Sequence, residues 1–379
     1  MDSACDTLNP RQLHKPVMLT QGPDMNASEL ERALTYPLGD QLPALGQALT
    51  VAPGIKWLRI GLPFALDHIN LWLVRDEWDG QPGWAIVDTC VAQPHAREQW
   101  QQIFERELEG LPVVRVIVTH MHPDHIGNAR WLCERWNAPL FVSATDYLTA
   151  KLFSGDRGSE QGGAMAAEFL RQHGLLDEAA LEGIRGRTSY YPSLVDGVPL
   201  EYIRMQDGDR IQLGQTEWRC ISGYGHAPEH IALHCEALNV LISGDMVLPR
   251  ISTNVSVHAT EPRANALQQF LDSLRKYEPL AADTYVLPSH GKPFMGLHER
   301  LRQLHQHHRD RLADLLAACQ AKPMSAHDAL PVLFHRPLDL HQTTFAMGES
   351  VAHLHKLWAD GAVTRTQDEN GVYRFAAVA

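Results

Sequence analysis

The chain has 379 residues, 44% of them hydrophobic and 21% charged, a balance that suits a folded protein with a large domain and a smaller appended one. No run of about eighteen apolar residues occurs, so a membrane span is not expected. A formal net charge of -12, from 33 Lys and Arg against 45 Asp and Glu, works against attraction to a phosphate backbone and makes nucleic acid a secondary partner.

Met1 to Pro10 is polar and lacks the basic start and apolar stretch of a secretory leader. Six cysteines (Cys5, Cys90, Cys133, Cys220, Cys235 and Cys319) show no paired spacing, which predicts reduced thiols in a cytoplasmic protein. Residues 1–45 mix Pro, Gly and short helix-like stretches and read as an extension packed on the main domain.

From Trp57 the pattern becomes strand-like. Asn70 to Val74 and Trp84 to Val87 are short apolar runs joined by a turn around Asp79 to Gly83. An amphipathic stretch, Ala96 to Leu108, leads to the run Val113 to Val118, giving strand, helix, strand order. Further strands are predicted at Leu140 to Val142, Glu217 to Ile221, Ile231 to Cys235, Val240 to Ile242 and Tyr285 to Leu287, with a helix over Ala264 to Tyr277. A boundary falls near residue 297, dividing a domain over 46–296 from one over 297–379. The latter opens on a long helix from Leu297 to Ala321 and ends in a helix at Glu349 to Ala359 and a hairpin around Asn370-Gly371. Helix followed by hairpin suggests a winged-helix-like unit.

The run Val113 to Val118 delivers His120-Met121-His122-Pro123-Asp124-His125 into a loop, where metal sites are commonly built. Imidazole and carboxylate suit zinc, manganese and iron, and in an extended segment His120 and His122 point the same way. Two metals would need more ligands than these four residues supply. Candidates are His226, Asp245 and His290, each following a predicted strand beside Gly or Pro. His305, His307 and His308 read instead as the solvated face of a long helix. His68 and His230 are left as pocket or packing residues rather than ligands.

The order Asp88, His120-x-His122-x-Asp124-His125, His226, Asp245, His290 resembles that of the metallo-β-lactamase superfamily over roughly residues 57–295. The resemblance implies an α/β fold, a four-layer αββα sandwich, with a dinuclear site at one edge of its sheets. His120, His122 and His226 would hold one divalent ion, Asp124, His125 and His290 the other, and Asp245 would bridge them, with zinc first and manganese or iron as alternatives. Asp88 would orient a ligand from behind. The superfamily often has Gly where this chain has Cys90. The tail, with Gly348-Glu349-Ser350-Val351-Ala352-His353-Leu354, resembles the C-terminal winged-helix-like unit of lactamase-beta-2-like hydrolases.

Two cations about 3.5–4 Å apart lower the pKa of a shared water and present hydroxide to a carbonyl or phosphoryl group. Asp124 would orient it or pass a proton to the leaving group. A complete ligand set resembles the glyoxalase-II-like and lactonase branches, so the expected activity is hydrolysis of an ester, thioester or lactone of a small acyl substrate. The alternatives are a phosphodiesterase or endoribonuclease on single-stranded RNA, or a metal-containing regulatory binding protein. Arg250, Tyr224 and Asn254 are candidate substrate-binding residues. Neither the oligomeric state nor the acyl group is legible in the sequence.

Overall fold

The structure is a computed structural model that describes residues 27–64, 66–155, 158–187 and 190–378. Residues 1–26 of the expected N-terminal extension, Cys5 among them, lie outside the described residues.

Alternating and fully apolar runs assemble into two facing sheets. The first holds β1 (Ala48–Ala52), β2 (Ile55–Gly61), β3 (His68–Trp78), β4 (Gln81–Val87), β5 (Val113–Ile117), β6 (Leu140–Val142) and β7 (Ile203–Arg204), in that order. β1 to β4 pair antiparallel, and β4 to β7 pair parallel. The second has the order β12-β11-β10-β9-β8, from β8 (Arg210–Leu213), β9 (Thr216–Gly223), β10 (His230–Cys235), β11 (Val240–Gly244) and β12 (Tyr285–Pro288). β11 and β12 pair parallel and the rest antiparallel. Between the sheets lies a continuous apolar layer: Trp57, Trp72, Val87 and Ile117 of the first meet Trp218, Ile231, Leu233 and Ile242 of the second. Trp57 and Trp72 are register partners whose rings stack at 6.4 Å.

Helices cover both outer faces. Over the first sheet lie α2 (Pro94–Arg106), the short α3 (Pro123–Ile126), α4 (Ala129–Trp136) and α5 (Ala144–Ser154), with Trp100, Ile103, Leu132 and Tyr147 packed on Leu58, Leu73, Ile86 and Val116. Over the second lie α8 (Ala266–Arg275) and α9 (Leu297–Ala321), whose Leu267, Phe270 and Leu301 pack with Ile221, Leu241 and Val286. The expected αββα sandwich is therefore present.

One hydrophobic layer runs across residue 297. It takes in Leu34 and the helices α6 (Gly158–Gln172) and α7 (Glu178–Arg185), through Leu170 and Leu181. It continues into α10 (Ala326–Leu333), α11 (Leu340–Ala359) and the hairpin β13 (Val363–Gln367) with β14 (Tyr373–Ala377), through Ala329, Val351, Leu354 and Phe375. The remaining helix, α1 (Ala27–Arg32), precedes Leu34. α11 begins at Leu340 rather than Glu349 because Asp339 and Gln342 form a capping box there. The sequence does not predict α5 to α7; Gly and Ser interrupt the apolar positions of α6, and Gly183 falls within α7.

His308 departs from its sequence reading. It is fully buried, because α8 and α11 pack over that part of α9: its ring lies 5.7 Å from Phe270, and its Nδ1 is 3.2 Å from His353 Nε2.

Candidate metal centre

Local sequence explains how one loop brings four donors together. After β5, His122 is extended (φ -62°, ψ 147°), as a residue before proline prefers. Pro123 then occupies the first position of α3, where its missing N–H costs nothing. His120 and His122 thus project from extended backbone, and the helical turn brings Asp124 and His125 round beside them. His226, Asp245 and His290 follow β9, β11 and β12, so the donors collect at strand ends from both sheets. Gly244 has φ +54°, and a Cβ there would collide with the His230 ring, so only glycine lets β11 turn into Asp245.

Two donor sets result. His120 Nε2, His122 Nδ1 and His226 Nε2 lie 2.9, 3.1 and 3.2 Å apart. Around a second point, Asp124 Oδ2, His125 Nε2, His290 Nε2 and Asp245 Oδ1 are separated by 3.4 to 3.6 Å. Asp245 faces both, because its Oδ2 is 3.3 Å from His226 Nε2. Ligands held about 2.0–2.1 Å from a tetrahedral ion sit roughly 3.3 Å from one another, so both sets have the spacing of a coordination shell. His125 Nε2 and Asp245 Oδ1 are buried without a hydrogen-bond partner, a costly state that a cation would relieve. The residues therefore fit divalent metal.

The other ring nitrogens are pinned by groups behind them. Asp88 accepts from Thr119 N at 2.8 Å and lies 2.8 Å from His125 Nδ1. The Thr119 hydroxyl meets both Asp88 oxygens and His120 Nδ1. His226 Nδ1 donates to the Asn254 carbonyl and His290 Nδ1 to the His68 carbonyl, each at 2.7 Å. His68 also accepts from Gly291 N, and His230 Nε2 from Asp245 N. Asp146 takes Met121 N and Glu229 N, at 2.7 and 2.6 Å, tying the ligand loop to the approach of β10.

Burial and charge split the imidazoles. Burial, reinforced by neighbouring rings, holds His120 and His122 well below the ordinary histidine range, so both are neutral. Burial would also lower His125, but Asp124, Asp88 and Asp245 outweigh it and raise it to about 10. Asp124 shows the converse: burial opposes its ionisation, yet His125 and His290 hold it down to about 2.

The structure brings His120, His122, Asp124, His125, His226, Asp245 and His290 together and sets Asp88 behind His125. Arg250 lies 3.9 Å from Glu31, and Tyr224 packs on α8 with Lys276 over its ring at 5.4 Å. Asn254 directs its carbonyl to His226 and its side chain to Glu349 and Ser256. Cys90 is buried at φ +64°, belongs to neither donor set, and has its thiol pushed up by burial. The parts of Asn254 and His68 in orienting His226 and His290 are played by backbone carbonyls and carry no sequence signal.

Imidazoles and carboxylates converging at the strand ends of two facing sheets, inside an αββα sandwich, define a metallo-hydrolase. Residues 65–290 match the Metallo-beta-lactamase superfamily, and residues 312–378 match the Metallo-beta-lactamase-like C-terminal domain. The chain belongs to the metallo-beta-lactamase superfamily. It is similar to a Beta-lactamase domain protein from Burkholderia ambifaria, with 52% identity and TM-score 0.87, covering 92% of this chain and 100% of that one. It is also similar to a metallo-beta-lactamase family protein from Thermus thermophilus, with 26% identity and TM-score 0.72 over 87% of this chain and 100% of that one. The Probable metallo-hydrolase YqjP of Bacillus subtilis (strain 168) is 24% identical over 324 residues, 83% of this chain and 96% of its own length. Among the described residues, no helix is long and apolar enough to cross a membrane.

Proposed function

We propose that this chain binds two divalent metal ions, zinc before manganese or iron, and hydrolyses an ester, thioester or lactone of a small acyl substrate, as the glyoxalase-II-like branch does. The observation that carries the reading is Asp245, whose Oδ1 faces His125 and His290 while its Oδ2 faces His226, the disposition of a carboxylate shared by two cations. Bound ions of this kind supply Lewis acidity and bring the pKa of a water toward neutrality.

The chain's own residues supply the rest. His120 and His226 are fixed by Thr119 and Asn254 with their remaining nitrogens turned inward. Asp124 has a side chain 18% exposed against 10% for Asp245, so it is the carboxylate nearer solvent and takes the part of orienting water and passing its proton to the leaving group. The acidic charge favours an acyl substrate over RNA. The test is metal analysis beside a hydrolysis panel of acyl thioesters, lactones and bis(p-nitrophenyl) phosphate. About two ions per chain and turnover of a carbonyl substrate are expected, with Asp245→Ala losing both the second ion and the turnover. Activity in a preparation free of metal, or cleavage of the phosphodiester alone, contradicts it.

A further inference from the structure

We propose that the rings of Phe64, Tyr190, His341 and Phe345 form the acyl subsite of this centre and select substrates whose acyl part is aromatic or of medium chain length. This assignment rests on the hydrolase reading above.

The four rings come from three separate segments and meet in one cluster. Phe64 stacks on His341 at 6.5 Å, Tyr190 lies 5.8 Å from His341, and Phe345 meets it edge-on at 5.0 Å. Tyr190 is 40% and Phe345 47% exposed. A single exposed ring on a soluble protein needs no explanation, whereas a contiguous group of them beside a reactive centre marks a binding surface.

Each ring-bearing segment runs directly into a group that supports the metal donors. Tyr191, next to Tyr190, donates its hydroxyl to the carbonyl of Met121, between His120 and His122, at 2.5 Å. Asp196 N bonds Gly127 O at 3.0 Å and closes the same segment onto α3. Phe64 precedes His68, whose carbonyl holds His290. Further along α11 from His341 and Phe345, Glu349 meets Asn254, whose carbonyl holds His226. The rings therefore flank the donors rather than a remote face.

The rim adds a cation. Arg187 Nη1 reaches Thr344 Oγ1 at 3.4 Å, and among the described residues no carboxylate lies within ion-pair distance of it. Faces of aromatic rings take methylene or aryl groups, while a guanidinium takes a carboxylate or phosphate on the remainder of the substrate. An acetyl group is too short to use the rings, so selectivity should grow with acyl size.

The experiment compares the metal-loaded protein with the double variant Tyr190→Ala/Phe345→Ala on acetyl, octanoyl and phenylacetyl thioesters. The ratio of kcat/KM for octanoyl or phenylacetyl to that for acetyl is expected to fall about tenfold, mainly through KM. Calorimetry with octanoate and phenylacetate, the carboxylates such substrates release, is expected to show about tenfold weaker binding to the variant. An unchanged ratio with unchanged carboxylate binding overturns the subsite. So does sedimentation showing that the variant only converts a dimer to monomers, which would make the rings a contact between copies. If no thioester is hydrolysed but the carboxylates bind and weaken in the variant, the subsite stands and the hydrolase reading falls.

Discussion

Asp88 shows how much of this site is built one residue behind the donors. It sits at φ +62°, an uncommon conformation for a residue with a side chain, and its carboxylate meets Thr119 N, Thr119 Oγ1 and His125 Nδ1. Those contacts fix the His125 ring so that its Nε2 faces the second donor set. Asp88→Asn keeps the shape and removes the charge, and is expected to weaken metal binding about 10–100-fold. Competition with a chromophoric chelator measures this, and an unaltered affinity would reduce Asp88 to a packing role. Cys90, also left-handed and fully buried, is expected to resist a thiol reagent until the protein is unfolded.

At the scale of elements, the contact between α11 and segment 253–257 ties the C-terminal unit to the first donor set. Val257 N bonds Gly348 O at 3.1 Å, and Glu349 lies 3.3 Å from Asn254 Nδ2. A Cβ at Gly348 would stand 2.7 Å from Ser256 Oγ and 2.8 Å from its Cβ, so glycine is what permits this approach. Gly348→Ala improves helix propensity by about 1 kcal/mol, yet the overpacking it causes costs about 1–3 kcal/mol. A lower urea midpoint is expected, together with weaker metal binding because Asn254 holds His226. A variant as stable as the parent, with equal metal affinity, would show that helix and loop yield freely.

Across the whole molecule, several histidines outside the donor sets lie buried. Burial pushes His173, His353 and His355 down to about 4 from 6.5, and all three are at most 1% exposed. A histidine held neutral in the folded state binds its proton only on unfolding. The stability it contributes is complete above about pH 6.5 and falls as pH drops toward 4, by about 1.4 kcal/mol per pH unit for each residue. Urea unfolding of chelator-treated protein at pH 7, 6 and 5 is expected to show midpoints falling steadily with acid. His355→Gln should make that decline shallower, and a flat profile would mean these rings protonate without unfolding the chain.

The sequence by itself determined the candidate donors and the sheets that carry them. Strand runs such as Val113 to Val118 are apolar throughout, and a histidine or aspartate at the end of such a run stands out because donors of that kind are otherwise scattered. What only the tertiary structure decided is which groups stand behind those donors and what wall faces them. The carbonyls of Asn254 and His68, the hydroxyl of Thr119 and the burial of His308 under α8 and α11 depend on chain segments up to 222 positions apart meeting in space. Backbone oxygens are the same in every residue, and the contacts they make are set by packing, not by side-chain identity.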